Sequence, residues 1–310
     1  MKHQRFAITN IKSQTGSRRG VIKMKGQRKY IAMIVLQSVL YGAMDVISKL
    51  VYRAIPVYCF LLLRYVLASV IMLLIWHRTI LSELKTARVI SYILPSLCMS
   101  CAFIFSNLAL QHTSATNVSF IRSLSAILVP VLLLLFFHQK YRRKDIIVQV
   151  LMVLGLYLLC IKGGFHSIGL GEVLAFLAAL LVAGSLVFGK QALRSISAVS
   201  LSFAQTILSV LVCGMMCVLT DAVPYIRRAF DWKIILALTY AAVACTIGGY
   251  MLQNIALKHI SSKITGMVQC LYPIATAGIA YFVLNERLSL LGMIGAAIII
   301  IAVLLESTEN

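Results

Sequence analysis

Ten long apolar runs follow one another along the chain, with little between them. They cover about 30–50, 57–77, 89–111, 116–138, 145–162, 170–192, 198–220, 233–257, 262–285 and 288–306. A helix of roughly 20 residues crosses a hydrocarbon core about 30 Å thick, so each run is a candidate transmembrane helix. The connections are short. The longest, from Asp221 to Trp232, carries Pro224 and the pair Arg227–Arg228. Of the 310 residues, 61% are hydrophobic and 12% charged. Soluble domains sit near half apolar and a quarter charged, and a soluble fold of this size has no interior able to hide the excess. The expectation is an all-α integral membrane protein with no large soluble domain.

The formal charge of +20, from 29 Lys and Arg against 9 Asp and Glu, would by itself suit a nucleic-acid partner. Its placement argues against one. The cations lie in short caps between apolar runs, as they do in cytoplasmic loops. With the N-terminus inside, 20 cations fall inside and 7 outside, and Arg64 and Arg122 lie within spans. This predicts a multi-pass protein of the cell membrane with both termini cytoplasmic. Nine of the inside cations belong to residues 1–29, which have no apolar core of a signal peptide. That stretch reads as a disordered basic leader, and Met24, opening "MKGQRKY", is an alternative start. All eight cysteines fall in apolar runs. Cys98 and Cys101 form a CxxC with no second pair and no His at ligand spacing, so no metal or cofactor is expected.

The six residues "NLALQH" (107–112) return as "NIALKH" (254–259), 254 − 107 = 147 positions later. The likeness extends onward, "NLALQHTSATNVSFIRSL" against "NIALKHISSKITGMVQCL", and the exits "FFHQKYRR" and "VLNERLSL" keep the same offset. Gln139 then faces Glu286, and Lys140 faces Arg287. Earlier spans align at 190 − 49 = 141, which pairs Lys49 with Lys190 and Arg64 with Gln205. The chain therefore reads as two halves of five spans, 30–162 and 170–306. Five is odd, so the second half enters from the opposite side. Inverted repeats of this kind place a substrate site near the midplane between the halves, and rocking of one half on the other gives alternating access.

Three stretches carry a family resemblance: "LLLRYVLAS" (61–69), "NLALQHTSATNVSFIRSLSAILVPVLL" (107–133) and "NIALKHISSKITGMVQCLYPIATAGIAYFVLNERLSLLGMIGAA" (254–297). The sequence resembles the drug/metabolite transporter superfamily, of the bacterial EamA type, from about Tyr30 to Glu306. "NERLSLLGMIGA" is the most specific part. The chain departs from the pattern at Gln139, where the second half has Glu286, and at Ala302, where Gly is expected opposite Gly155. The resemblance implies ten helices, a central cavity and transport of small metabolites. It names neither a substrate nor an energy source.

A charge within a span costs roughly 2.5–3.5 kcal/mol on insertion scales, so it needs a partner, a wet cavity or a function. At about 1.5 Å per residue, Asp45 lies ~8 Å, Arg64 ~10 Å and Arg122 ~9 Å from the outer end of its helix. Three helices thus bring charge to one level, and Lys49 shares a face with Asp45 at i, i+4. One reading is a vestibule for a polar solute. The other is a structural ion pair of Asp45 with Arg64 or Lys49. The family commonly has an Arg at the Arg64 position, which favours a structural role there and leaves Arg122 for direct contact. Tyr41, Asn107, Asn254, Gln269 and Tyr272 are further candidate lining residues, with Gln253 beside them. Pro130 and Pro273 either free carbonyls for a cavity or act as packing kinks. His112, His259, Glu172 and Glu286 read as helix-end groups.

The function expected is a secondary transporter, exporter or exchanger, of small anionic or zwitterionic metabolites such as amino acids. Asp45 is the candidate proton carrier. The alternatives are a flippase for a lipid-linked substrate or a drug efflux permease on the same fold. With no Walker A, GxSxG or HExxH pattern, neither ATP hydrolysis nor an embedded enzyme is expected. The partners implied are a small-molecule solute and the lipid bilayer, with a homodimer left open and nucleic acid excluded.

Overall fold

No proline precedes Pro56, so nothing interrupts the backbone ladder of the first helix. α1 runs from Lys2 to Val51. The leader, expected without regular structure, continues this helix. The computed structural model describes the backbone of residues 2–139, 143–160, 169–284 and 290–308. Side chains are described over the same ranges except 2–26, 143–145, 156, 159–160, 228 and 306–308. The predicted correspondences at Lys140, Glu286 and Arg287 lie outside the described residues.

After α1 come α2 (Val57–Thr86), α3 (Val89–His112), α4 (Ala115–Ser123), α5 (Ser125–Phe137), α6 (Arg143–Cys160), α7 (Leu170–Ala192) and α8 (Ala198–Leu219). A 3₁₀ turn, Val223–Phe230, leads to α9 (Trp232–Thr239), which passes through a π-helical stretch, Tyr240–Gly248, into α10 (Gly249–His259). α11 (Ser262–Val268) joins α12 (Tyr272–Leu284) through a 3₁₀ turn, and α13 (Leu290–Thr308) follows. No strand occurs among the described residues. Eight stretches are long and apolar enough to cross a membrane: 27–51, 57–86, 89–112, 115–137, 170–192, 198–219, 232–259 and 262–284. Two shorter apolar helices, Ile146–Gly155 and Leu290–Leu305, occupy the remaining predicted runs. Large apolar side chains cover the outside, with Phe282 82% and Leu74 74% exposed. A soluble monomer does not tolerate apolar exposure on this scale, whereas lipid does.

α2 outruns its expected end at residue 77. It kinks at Trp76, where φ is −122° and ψ 22°, and continues to Thr86. The extension is tied down by Glu83, whose Oε2 accepts the Ser197 N–H at 2.7 Å, just before the N-terminus of α8. A carboxylate is favoured there by the helix dipole.

The two halves interlock through small residues. α3 and α7 run antiparallel over their length. A Cβ on Gly171 would meet Thr113 and His112, one on Gly184 would meet Cys98, and one on Gly189 would reach Pro95. Gly42 of α1 brings that helix against the backbone of Ala275 and Thr276 in α12, and Gly155 of α6 lies against the carbonyl of Gly295 in α13. Close backbone approach at small residues is how helices associate where lipid supplies no hydrophobic drive.

Lysines and serines finish the helix ends. Lys190 Nζ donates to the carbonyls of Leu257 (2.7 Å), Ile260 (2.8 Å) and Lys258 (3.2 Å) at the end of α10. Lys49 Nζ reaches the Thr113 carbonyl (3.4 Å) just past α3. Ser114 caps α4 by accepting the Asn117 N–H, and Ser261 caps α11 by accepting the Ile264 N–H.

Candidate functional site

α1 places Gln37, Tyr41 and Asp45 on one face at i, i+4 and i+8. α3 offers Met99, Phe103 and Ser106 at i, i+4 and i+7. Between α4 and α5 the helix is interrupted at Leu124, and Ser123 Oγ bonds back to the Ser119 carbonyl at 2.8 Å, a contact that bends helices. The matching interruption between α11 and α12 lies at Gln269–Leu271. Pro273 follows and offers no N–H to the Gln269 carbonyl, which accepts instead from the Tyr272 N–H in the tighter 3₁₀ turn. These two broken helices turn Arg122, Ser123, Ser125, Gln269 and Tyr272 toward α1.

The result is a cavity of about 410 Å³ including its open mouth. Its lining comprises Gln37, Ser38 and Tyr41, then Met99 and Phe103, then Arg122, Ser123 and Ser125, with Val182, Gln253, Gln269 and Tyr272. Arg122 is the one cation among these residues, and no carboxylate is present among them. Its guanidinium lies 4.0 Å from the Tyr272 ring centroid, 5.5 Å from that of Phe103 and 5.9 Å from that of Tyr41. Such contacts strengthen when desolvated, and Arg122 is only 9% exposed. Its Nη1 donates to Ser106 Oγ at 3.4 Å.

Opposite Arg122 stands a cluster of three glutamines. Gln253 Oε1 accepts from Gln37 Nε2 (2.8 Å) and Gln269 Nε2 (2.9 Å), and Gln269 Nε2 also approaches Gln37 Oε1 (3.2 Å). Gln253 Nε2 is buried with no hydrogen-bond partner, as is Tyr272 Oη.

The remaining charges stand next to this cavity. The Arg64 guanidinium is 5.7 Å from the Phe103 ring, which both arginines therefore share. The sequence left a structural ion pair of Asp45 with Arg64 or Lys49 as the alternative to a vestibule; in the structure Arg64 Nε donates to Thr246 Oγ1 at 2.6 Å. Thr246 lies in the π-helical stretch, with its own hydroxyl bonded to the Ala241 carbonyl five residues back. The wider π turn carries Thr246 to Arg64, and π segments recur at functional sites. Asp45 is buried, with Oδ2 lacking a hydrogen-bond partner. Gly249 lets the Tyr41 ring into place, since a Cβ there would stand 2.5 Å from the ring.

Arg122, Tyr41, Gln269 and Tyr272 are thus brought together, with Arg64 and Asp45 beside them. Asn107 and Asn254 are not in the lining. Asn107 Oδ1 accepts from Tyr52 Oη (2.5 Å), and its Nδ2 donates to the Phe103 carbonyl (2.7 Å). Asn254 Nδ2 donates to Ser202 Oγ (2.9 Å) and Gln205 Oε1 (3.0 Å). Both asparagines tie helices together. Gln37 was missed, although it precedes Tyr41 and Asp45 by one and two turns.

The model of the EamA-like transporter family matches residues 28–161 and again 169–308. The chain belongs to this family. An uncharacterized transporter of Archaeoglobus fulgidus is 24% identical over 205 residues, 66% of this chain and 64% of that protein. The chain thus spans under two thirds of that relative's length. The uncharacterized transporter YetK of Bacillus subtilis is 22% identical over 292 residues, 91% of this chain and 87% of that protein. A protein crystal structure 13% identical in sequence shares the fold, with a TM-score of 0.68 over 88% of this chain and 95% of its own. The EamA-like chain thus has the apolar helices of a multi-pass membrane protein and belongs to a family of transporters, and both relatives are named as transporters.

Proposed function

We propose that this transporter carries small anionic or zwitterionic metabolites, amino acids among them, as an exporter or exchanger in the cell membrane. The observation that carries the reading is Arg122, buried in a cavity whose described lining holds no carboxylate. Arginine in a site of low dielectric favours carboxylate or phosphate, which its planar fork can bond twice. A lipophilic cation would meet a like charge there.

The transport cycle is alternating access of two inverted five-helix repeats, with ten spans and both termini cytoplasmic. The paired helix ends support it. Lys49 with Thr113 and Lys190 with Ile260 make corresponding contacts, and so do the Ser114 and Ser261 caps. Cys270 Sγ contacts the carbonyl of its own counterpart, Ser123, 147 positions away at 3.7 Å. Contact between equivalent residues is what a two-fold axis passing nearby produces.

The test is transport by the purified full chain in sealed vesicles, using a labelled amino acid, a labelled monocarboxylate and a labelled quaternary ammonium compound. Saturable movement of a carboxylate-bearing solute supports the reading. Preference for the quaternary ammonium compound would make it a drug permease, and altered exposure of a labelled lipid would make it a flippase. Either result would overturn the proposal.

A further inference from the structure

The neutral polar groups that line the cavity are only partly used by the protein. Gln253 Oε1 accepts N–H groups from both Gln37 and Gln269. Turning the Gln253 amide over would set its Nε2 against those two donors, so the oxygen stays on that side. Nε2 then points away from them with two hydrogens and no acceptor in the protein, on a residue 2% exposed. Tyr272 Oη is likewise buried without a partner. Ser38 and Ser123 are half used. Each hydroxyl gives its one hydrogen to a carbonyl one turn back, Ile34 and Ser119, and keeps its lone pairs. All four residues line the cavity.

The same lining carries an apolar wall of Met99, Phe103 and Val182. Sites of this make-up rest a carbon skeleton on the apolar wall and orient it with a few polar groups. Arg122 takes the carboxylate. The neutral donors and the serine lone pairs are then left for the body of the solute. A hydroxyl, carbonyl or carboxamide meets them. A hydrocarbon body of the same shape displaces water from the cavity and returns no bond, which is how a site built for hydrogen bonding rejects an analogue lacking the group.

We propose that the cavity selects carboxylates whose carbon skeleton bears an uncharged hydrogen-bonding oxygen over carboxylates with a hydrocarbon body of the same shape. Gln253 Nε2 and Tyr272 Oη read that oxygen. The selection holds with or without an ammonium on the solute. It rests on the reading of the cavity as the transport site for carboxylate-bearing solutes.

Two pairs of probes test it, titrated against the purified full chain by calorimetry and thermal shift. One is 4-oxopentanoate against 4-methylpentanoate, and the other is glutamine against homoleucine. Charge is the same within each pair, and only the neutral polar group is exchanged for methyl groups. In each pair that binds, the oxygen-bearing member is expected to bind roughly tenfold more tightly. Tyr272→Phe deletes a hydroxyl that no protein group bonds and keeps the ring beside Arg122. Gln253→Met removes the NH₂ together with the oxygen that Gln37 and Gln269 bond, so its melting is followed alongside. Both variants are expected to weaken the oxygen-bearing member and spare the hydrocarbon one.

Equal affinity within the pairs, or tighter binding of the hydrocarbon members, overturns this inference and leaves the carboxylate reading intact. The same holds if Tyr272→Phe and a folded Gln253→Met keep the preference unchanged or weaken both members alike. No binding of any of the four probes, or binding that Arg122→Gln leaves undiminished, overturns the carboxylate reading as well.

Discussion

Arg122 and Gln269 stand 147 positions apart and hold partners that are also 147 apart. Arg122 Nη1 donates to Ser106 Oγ at 3.4 Å, and Gln269 Nε2 donates to Gln253 Oε1 at 2.9 Å. The same place in each half is therefore filled by a planar donor reaching one helix away. One half uses a charged group and the other a neutral one. An internally duplicated cavity acquires a direction in this way, since a carboxylate is drawn to one side only.

That relationship makes Arg122→Gln an informative substitution, because glutamine already occupies the corresponding place in the second half. The folded protein should persist. Charge-assisted hydrogen bonds contribute about 1.5–3 kcal/mol, so affinity for a carboxylate ligand should fall on the order of 10- to 100-fold. Binding titration alongside thermal melting separates the two effects. Normal binding in a well-folded variant would take Arg122 out of the site.

Asp45 is a buried acid with one oxygen unpartnered. If it carries the coupling proton, Asp45→Asn should abolish accumulation driven by a pH gradient while leaving solute-for-solute exchange. Vesicles with and without an imposed gradient give the readout. Wild-type accumulation with unchanged pH dependence in this variant would exclude the role.

Much of this was legible in the sequence, and what was not has physical causes. The apolar runs mark the helices because lipid demands long uninterrupted stretches, and the ends of α3, α7 and α8 fall within a residue of the expected positions. Polar groups inside such runs are costly, which is why Arg122, Tyr41, Gln269 and Tyr272 stood out. The same argument singled out Asn107 and Asn254, whose side chains bond to protein groups outside the cavity lining. Cost shows that a polar group needs partners, not whether they are solute or protein. The Arg64–Thr246 bond depends on the π turn in Tyr240–Gly248, which inserts extra backbone into a helix without a sequence mark. The glutamine cluster joins Gln37 to Gln253 across 216 positions, and no local pattern links them.

The cation distribution predicts a cytoplasmic position for the loop around residues 140–144. A cysteine introduced at Lys144, in a background freed of the native cysteines, should resist a membrane-impermeant thiol reagent added to intact cells and react after permeabilisation. Labelling from outside would contradict the ten-span topology with both termini inside.

Gly42 tests the closeness of the contact between α1 and α12. A Cβ there would lie 2.8 Å from the Thr276 nitrogen and 3.0 Å from the Ala275 carbonyl carbon. Both are backbone atoms, which cannot rotate away as a side chain would. Accommodation requires the helices to separate, beside the α1 face that carries Tyr41 and Asp45. Overpacking of this kind costs about 1–3 kcal/mol, so Gly42→Ala should lower the melting temperature and weaken ligand binding together. Gly278, on α12 with nothing within 4 Å of an added Cβ, is the matched control. There alanine relieves the helix-propensity cost of glycine, roughly 1 kcal/mol, so Gly278→Ala should leave the melting temperature unchanged or raised. Melting both variants in the same detergent decides the matter. Equal behaviour would mean that the two helices do not meet at Gly42.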